Sequence, residues 1–136
     1  MKMATKLAVD IVLVREDRGV PEILLVKRRN NPYKGMYALP GGKVEQGEQF
    51  SDAATRELLE ETGITDLQLE LLGLYKNEDA INSVAFLGRV ANDYVFTENN
   101  EVEDFTWFKI DEIPQLAGNH NEIVKDAVKR LVYTFK

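Results

Sequence analysis

Residues 42 to 64 restrict this chain more than any other stretch. Gly42 is followed after five residues by Glu48, and after seven more come Arg56 and Glu57, then Leu58, Glu60, Glu61, Gly63 and Ile64. The pattern is G-x5-E-x7-R-E-U-x-E-E-x-G-U, with U aliphatic. In a chain of average residue usage a chance match is roughly one in ten million, so folding or chemistry has to account for it. Ser51 to Thr62 predicts a helix, with Ser51 and Asp52 as caps, Ala53, Ala54, Leu58 and Leu59 as good helix formers, and Gly63 as the left-handed residue that ends it. On such a helix Glu57, Glu60 and Glu61 fall at i, i+3 and i+4 and project from one face.

Three like charges on one turn destabilise an isolated helix, and a sequence keeps them when something cationic sits among them. A solvated acidic face is the ordinary explanation of a glutamate-rich helix. The glycines, Glu48 and Arg56 in register weigh against it here. A donor set of oxygens without histidine or cysteine suits Mg2+ or Mn2+. The pair Gly41-Gly42 permits a tight turn and lets a backbone carbonyl approach a metal. Arg56 can pair with Glu48 and hold the loop against the helix.

Around this segment the periodicity alternates between strand and helix. Leu7 to Val14 is rich in β-branched residues and predicts a strand, Arg15 to Pro21 a polar turn, and Glu22 to Arg28 the second strand of a hairpin. Arg29 to Gly35 has loop chemistry, and Met36 to Leu39 reads as a short strand running into Pro40-Gly41-Gly42. Leu67 to Tyr75 predicts a strand whose alternation slips at Leu71-Leu72, as a bulge would cause. Ile81 to Val90, Tyr94 to Thr97 and Phe105 to Ile110 read as further strands. Asp111 to Pro114 reads as a helical turn. Asn121 to Tyr133 predicts a final helix with Ile123, Ala127, Val128, Leu131 and Val132 on its apolar face. The order strands, helix, strands, helix implies an α+β chain, a mixed α/β/α sandwich.

The length of 136 residues suits one domain over 1–136 and is short for two. With 44% hydrophobic and 29% charged residues the balance is that of a soluble globular protein. No cysteine is present, and His120 is the single histidine, which rules out thiolate and multi-histidine metal sites. A net charge of −6 argues against a nucleic acid polymer as partner, while leaving room for a small phosphate ligand beside a metal. The apolar run at the N-terminus is too short to span a bilayer and unlike a signal peptide, so the expected location is cytoplasmic, with no membrane partner.

The segment from 42 to 64 resembles the Nudix box at every defined position, and the chain from about Leu7 to Leu131 is similar to a Nudix domain. The resemblance implies a Nudix fold, a mixed sheet between helices with the box as loop-helix-loop. It implies a metal-dependent hydrolase that cleaves a phosphoanhydride in a nucleoside diphosphate linked to another moiety. By matching positions, Glu57, Glu60, Glu61 and the Gly41 carbonyl would hold Mg2+, with Mn2+ able to substitute, and Glu48 and Arg56 would organise the box. The general base is either a box glutamate or one from a distant loop, where Glu101 is the first candidate, ahead of Glu103 and Glu98. Related enzymes are often homodimers, the only ground for expecting one here.

For the small-molecule nucleotide substrate, Arg28 and Lys43 are candidate phosphate contacts, with Arg29 and Lys34 behind them; solubilising charge at strand ends is the alternative. Tyr33, Tyr37 and Leu39 could flank a base or ribose, although aromatics in such strands are more often core. Trp107 reads as a core anchor. The stretch Asn30 to Gly42, and Asn119 to Ile123 at the last helix, resemble Nudix proteins that handle ADP-ribose. There His120 would meet base or phosphate, or else be a capping or exposed histidine. Asn121 falls where nucleotide-sanitising relatives place a base-reading asparagine, and it also suits a helix N-cap. ADP-ribose hydrolysis is the leading expectation. The proline that marks classical ADP-ribose enzymes downstream of the box is lacking, with Glu78 at that distance and no proline before Pro114. A (d)NTP pyrophosphohydrolase and a non-catalytic nucleotide sensor are the alternatives; the intact box and the short chain speak against the sensor.

Overall fold

The β-branched run near the start of the chain becomes the middle strand of a mixed sheet. The computed structural model describes residues 6–31, 33–76, 81–91 and 105–134. Strand β1 (Lys6–Asp17) turns into β2 (Val20–Lys27) through Arg18 and Gly19 alone, at φ 54° and 81°. Two successive left-handed residues match the twist of the flanking strands and make a tight hairpin. The turn is shorter than the polar segment Arg15–Pro21 suggests, because Arg15, Glu16 and Asp17 pair with Glu22, Pro21 and Val20. One of these pairs is an ion pair, Arg15 to Glu22 at 2.7 Å, and the Arg15 guanidinium also lies 4.4 Å above the ring of Trp107.

The remaining elements are β3 (Tyr37–Ala38), β4 (Gly41–Lys43), α1 (Phe50–Thr62), β5 (Leu69–Tyr75), β6 (Ile81–Arg89), β7 (Phe105–Lys109) and α2 (His120–Thr134). The sheet runs β3-β2-β1-β6-β5, with β4 on β1 and β7 on β2. β1 is parallel to β6 and antiparallel to β2 and β4, so the sheet is mixed. The slip expected in β5 is a register shift between Leu71 and Gly73 against β6.

Three expectations change. Met36–Leu39 gives only the two residues of β3, and the glycine run after Pro40 is itself a strand: Gly41, Gly42 and Lys43 pair with Asp10, Val9 and Ala8. β2 engages β1 from Val14 onward, so the first half of that edge of β1 needs other partners for its backbone, and β4 supplies them. Asp111–Pro114 holds a hydrogen-bonded turn, Glu112 N–H to the Lys109 carbonyl at 2.8 Å, rather than a turn of helix. The expected strand Tyr94–Thr97 lies outside the described residues.

Successive side chains of β1 point to opposite faces. Val9, Ile11 and Leu13 pack with Leu24, Val84 and Phe86 against Ala53, Ala54 and Leu58 of α1. Val12 and Val14 pack with Ile23, Leu25 and Leu87 against Ile123, Ala127 and Leu131 of α2. Full burial of a Leu or Ile side chain contributes roughly 1.5–3 kcal/mol. Ile11, Leu24, Leu58 and Ile123, all inaccessible to solvent, thus fix both helices on the sheet. α2 is also tied to β5: the Tyr75 hydroxyl donates to Asp126 at 2.7 Å, and Arg130 donates to the carbonyls of Leu71 and Leu72 beside the bulge. Among the described residues no helix is long and apolar enough to cross a membrane.

Candidate active site

The loop from β4 to α1 and the last turns of α1 build the acidic centre. Helix α1 starts one residue before the expected cap: Gln49 is extended (φ −73°, ψ 152°) and makes no side-chain cap. Ser51 and Asp52 lie inside the first turn instead, where the Ser51 carbonyl accepts the Thr55 hydroxyl at 3.0 Å and Asp52 complements the helix dipole. Gly63 ends the helix as expected, left-handed at φ 76° with its N–H on the Leu59 carbonyl. The buried Thr62 hydroxyl donates to the Leu58 carbonyl at 2.6 Å and accepts from the Ile64 N–H at 3.1 Å. The helix end that carries the glutamates is therefore locked.

Arg56 is the hub of the loop. Its Nε donates to Glu48 Oε2 at 2.8 Å and its Nη2 to Glu48 Oε1 at 3.0 Å, a bidentate pair. Nη2 also reaches the Lys43 carbonyl at 3.0 Å, and Nη1 donates to Glu57 Oε1 at 2.9 Å and Glu60 Oε2 at 3.4 Å. The Arg56 bonds and the Glu45 N–H hold the Glu48 carboxyl down to about 2, and the same pairing raises Arg56 above the usual guanidinium range.

Glu61 and Glu57 lie against the two glycines. The Gly41 N–H donates to Glu61 Oε2 at 3.1 Å. A Cβ on Gly42 would collide with the Glu57 carboxylate, and one on Gly41 with the Val9 carbonyl oxygen. Glycine at 41 lets β4 lie against β1, and glycine at 42 lets it lie against Glu57. Burial pushes the Glu61 carboxyl up to about 8; the charges of Glu57, Asp10 and Glu60 add to the shift, and the Gly41 N–H opposes it.

This crowding fits a divalent cation. The donors are all oxygen, as Mg2+ and Mn2+ require, and a cation would relieve the charge that now opposes ionisation of Glu61. Glu57 leans on Arg56, Glu61 on the Gly41 N–H, and Glu60 is half-exposed. Among the described residues no three acidic or histidine side chains converge on one point, so an ion taking these oxygens competes with the Arg56 and Gly41 contacts.

Glu61 and Gly41 form one wall of a cleft of about 240 Å³, whose other walls are Val26 to Asn30 and Ala38 to Pro40. Arg28, Arg29 and Leu39, all candidate substrate contacts, line it; Lys27 and Asn30, which sequence reading did not single out, line it too. Lys43 lines a separate hollow with Glu45, Gly47, Glu48 and Phe50. Tyr33 is exposed with φ 67° and Lys34 is exposed; neither lines the cleft. Tyr37 packs edge-on against Phe108, ring centroids 5.0 Å apart, on the α2 side of the core. Asn121 is not an N-cap: its amide accepts from the Leu116 N–H at 2.7 Å and donates to the Pro114 carbonyl at 3.1 Å, while Asn119 takes the capping place with its carbonyl. Trp107 is half-buried and packs on the α1-side core. Glu98, Glu101 and Glu103 lie outside the described residues.

Sequence reading missed the role of Asp10. It shares the face of Val12 and Val14, is 6% exposed, and stands opposite Gly41 in the β1–β4 pairing. His120, a candidate for substrate contact or capping, is the first residue of α2, approaches Asp10 Oδ1 with Nε2 at 3.3 Å and accepts the Leu39 N–H on Nδ1 at 2.9 Å. The available signal was the acid itself, alone in a run of β-branched residues.

Comparison with known proteins agrees with this architecture. The NUDIX domain profile matches residues 4–131. An ADP-ribose pyrophosphatase of Methanocaldococcus jannaschii is 35% identical over 127 residues, covering 90% of this chain and 72% of that protein. The ADPR responsive transcriptional repressor NtrR of Acinetobacter baylyi is 31% identical over 134 residues, and the chain spans about half of it, 92% of this chain against 54% of that one. Among solved structures, the Nudix domain of Shewanella oneidensis NrtR complexed with ADP ribose matches with a TM-score of 0.82 at 26% identity, covering 96% of this chain and 90% of that one. With an unbroken box on the matching fold, the chain belongs to the Nudix family of hydrolases.

Proposed function

We propose that this chain hydrolyses the phosphoanhydride of a nucleoside diphosphate linked to another moiety, with ADP-ribose as the leading substrate. The observation that carries the reading is the half-buried Glu61 carboxylate beside Glu57, on the wall of a cleft that Arg28 and Arg29 also line. Glu57, Glu60, Glu61 and the Gly41 carbonyl would hold Mg2+, with Mn2+ able to substitute. Bound there, the ion would lower the pKa of the attacking water and neutralise charge on the phosphates.

The chain's own residues do the rest. Arg56 and Glu48 fix the loop so that the glutamates keep their spacing. Arg28 and Arg29 suit the planar, two-pronged recognition of a diphosphate. Leu39 gives the cleft an apolar wall for ribose or base. Water adds to one phosphorus, the bridging P–O bond breaks, and the water proton passes to a carboxylate, a box glutamate or Glu101. ADP-ribose would yield AMP and ribose 5-phosphate.

The relative named as an ADP-ribose pyrophosphatase and the domain solved with ADP ribose support this substrate over a nucleoside triphosphate. The relative named as a repressor supports a second reading, in which the chain binds ADP-ribose without turning it over. A screen of the purified protein with Mg2+ against ADP-ribose, dinucleotides, nucleotide sugars and (d)NTPs, with products weighed by mass spectrometry, separates the readings. AMP from ADP-ribose is the expected result. Pyrophosphate released from a triphosphate would overturn the substrate, and ADP-ribose binding without any product would favour the sensor.

A further inference from the structure

The N-terminus of α2 reaches across the sheet edge to the strand that leads into the acidic centre. His120 stands there with both ring nitrogens engaged. Nδ1 accepts the Leu39 N–H at 2.9 Å, which leaves Nε2 as the ring nitrogen able to donate, and Nε2 lies 3.3 Å from Asp10 Oδ1. Only 15% of the His120 side chain and 8% of the Asp10 side chain are exposed. Among the described residues, the second Asp10 oxygen, Oδ2, is buried without a hydrogen-bond partner. A buried acceptor kept in that condition is costly, and more so when it carries a charge. Packing alone does not call for an acid there, since its neighbours Val12 and Val14 on the same face are apolar.

What the pair holds is a short segment. Leu39 is fastened by His120, the Pro40 carbonyl accepts the Ile11 N–H at 2.8 Å, and Gly41 lies opposite Asp10 in the β1–β4 ladder. Two more bonds brace the approach: the Ala117 N–H donates to the Tyr37 carbonyl at 2.9 Å, and Asn121 ties down Leu116 and Pro114. Gly41 in turn carries the N–H that Glu61 accepts and the carbonyl assigned above to the ion.

We propose that Asp10 and His120 form a positioning couple that sets the place of Leu39–Pro40–Gly41 relative to Glu61, acting through the backbone without touching substrate. The proposal rests on the site reading given above. Asp10 orients the ring and fixes the proton on Nε2, His120 presents Nδ1 to Leu39, and the Gly41 peptide is held where Glu61 needs it. Groups that hold metal ligands in place from behind typically contribute 10–100-fold to metal affinity or activity.

The test uses His120→Leu, which keeps the bulk and loses the acceptor, and His120→Asn, whose Oδ1 can replace Nδ1 toward Leu39. Each is measured for kcat and KM on ADP-ribose with Mg2+, for Mn2+ affinity, and for hydrogen exchange of the Leu39 and Gly41 amides without metal. The expected result for His120→Leu is a kcat lowered about 10–100-fold with KM nearly unchanged, weaker Mn2+ binding and faster exchange at both amides, with much of this recovered in His120→Asn. A raised KM at unchanged kcat would mean that His120 touches substrate, and would overturn the proposal. So would wild-type kcat, Mn2+ affinity and exchange in His120→Leu. If His120→Leu does not fold, His120→Asn and Asp10→Leu carry the same comparison. Amide exchange keeps the couple testable even if the wild-type protein turns over none of these substrates, a result that would count against the site reading alone.

Discussion

Arg56 grips Glu48 with two parallel hydrogen bonds, 2.8 and 3.0 Å long, across the loop that precedes the glutamate helix. From the same guanidinium, bonds run to Glu57 and to the Lys43 carbonyl, so one side chain sets the distance between β4 and the acids. Lysine cannot reproduce the fork. Arg56→Lys should keep the fold by circular dichroism and lower kcat by about 10–100-fold, the usual cost of disturbing groups that orient metal ligands. Full activity in this variant would show that the hub is dispensable.

The same pair sets a pH dependence. The Glu48 carboxyl is lowered from 4.5 to about 2 on folding, so its stabilisation is complete above pH 4.5 and is lost as pH falls from there toward 2. The Tm gap between the wild type and Glu48→Gln should therefore be open near neutral pH and close through that acid window. A gap that does not change with pH would mean that Glu48 acts by packing and not by charge.

Much of this arrangement is legible in the sequence because it is local. The spacing of Glu57, Glu60 and Glu61 is a helix property, and the bulge in β5 announces itself where alternation breaks at Leu71-Leu72. Arg18-Gly19 shows why the hairpin turn is tighter than its polar surroundings suggest: cross-strand pairs such as Arg15 with Glu22 are made by register, which charge content does not reveal. Gly41–Lys43 carries no strand signal because glycine has low strand propensity, yet the edge of β1 that β2 leaves open draws it into the sheet. The Asp10–His120 approach joins residues 110 positions apart, and no local pattern encodes it. Asn121 likewise looks like a cap until the loop it braces is in place.

Glu61 predicts an opposite pH effect. Its carboxyl is raised from 4.5 to about 8 on folding, so its contribution to stability is complete below pH 4.5 and is lost as pH rises through 8. Without divalent metal, the Tm should fall along this limb, and Glu61→Gln should flatten it. If Glu61 holds the ion as proposed, Mg2+ should raise the Tm of the wild type more at the alkaline end than at the acid end, because a carboxylate must be ionised to serve as a ligand. Parallel Tm curves for the two proteins in EDTA would contradict the assignment.

The two glycines should fail in different ways. Gly41→Ala drives a Cβ into the Val9 carbonyl, a backbone group that cannot step aside, and should destabilise the fold by about 1–3 kcal/mol in a urea titration. Gly42→Ala meets the Glu57 carboxylate, a side chain that can swing away, so the fold should survive while kcat drops. Equal stability loss in both would refute this distinction.

Metal dependence should be complete and reversible. EDTA should abolish hydrolysis, and Mg2+ or Mn2+ should restore it; Glu57→Gln and Glu61→Gln should each lower kcat by more than about a hundredfold even at saturating metal, since loss of a ligand should exceed the cost of disturbing its supports. Hydrolysis at full rate in EDTA would exclude the ion from the reaction.

The most direct measurement is Mn2+ binding followed by electron paramagnetic resonance, comparing the wild type with the double variant Glu57→Gln/Glu61→Gln without nucleotide. The account predicts saturable binding to the wild type and its loss in a double variant that remains folded. Wild-type affinity in the double variant would show that these carboxylates are not where the ion binds.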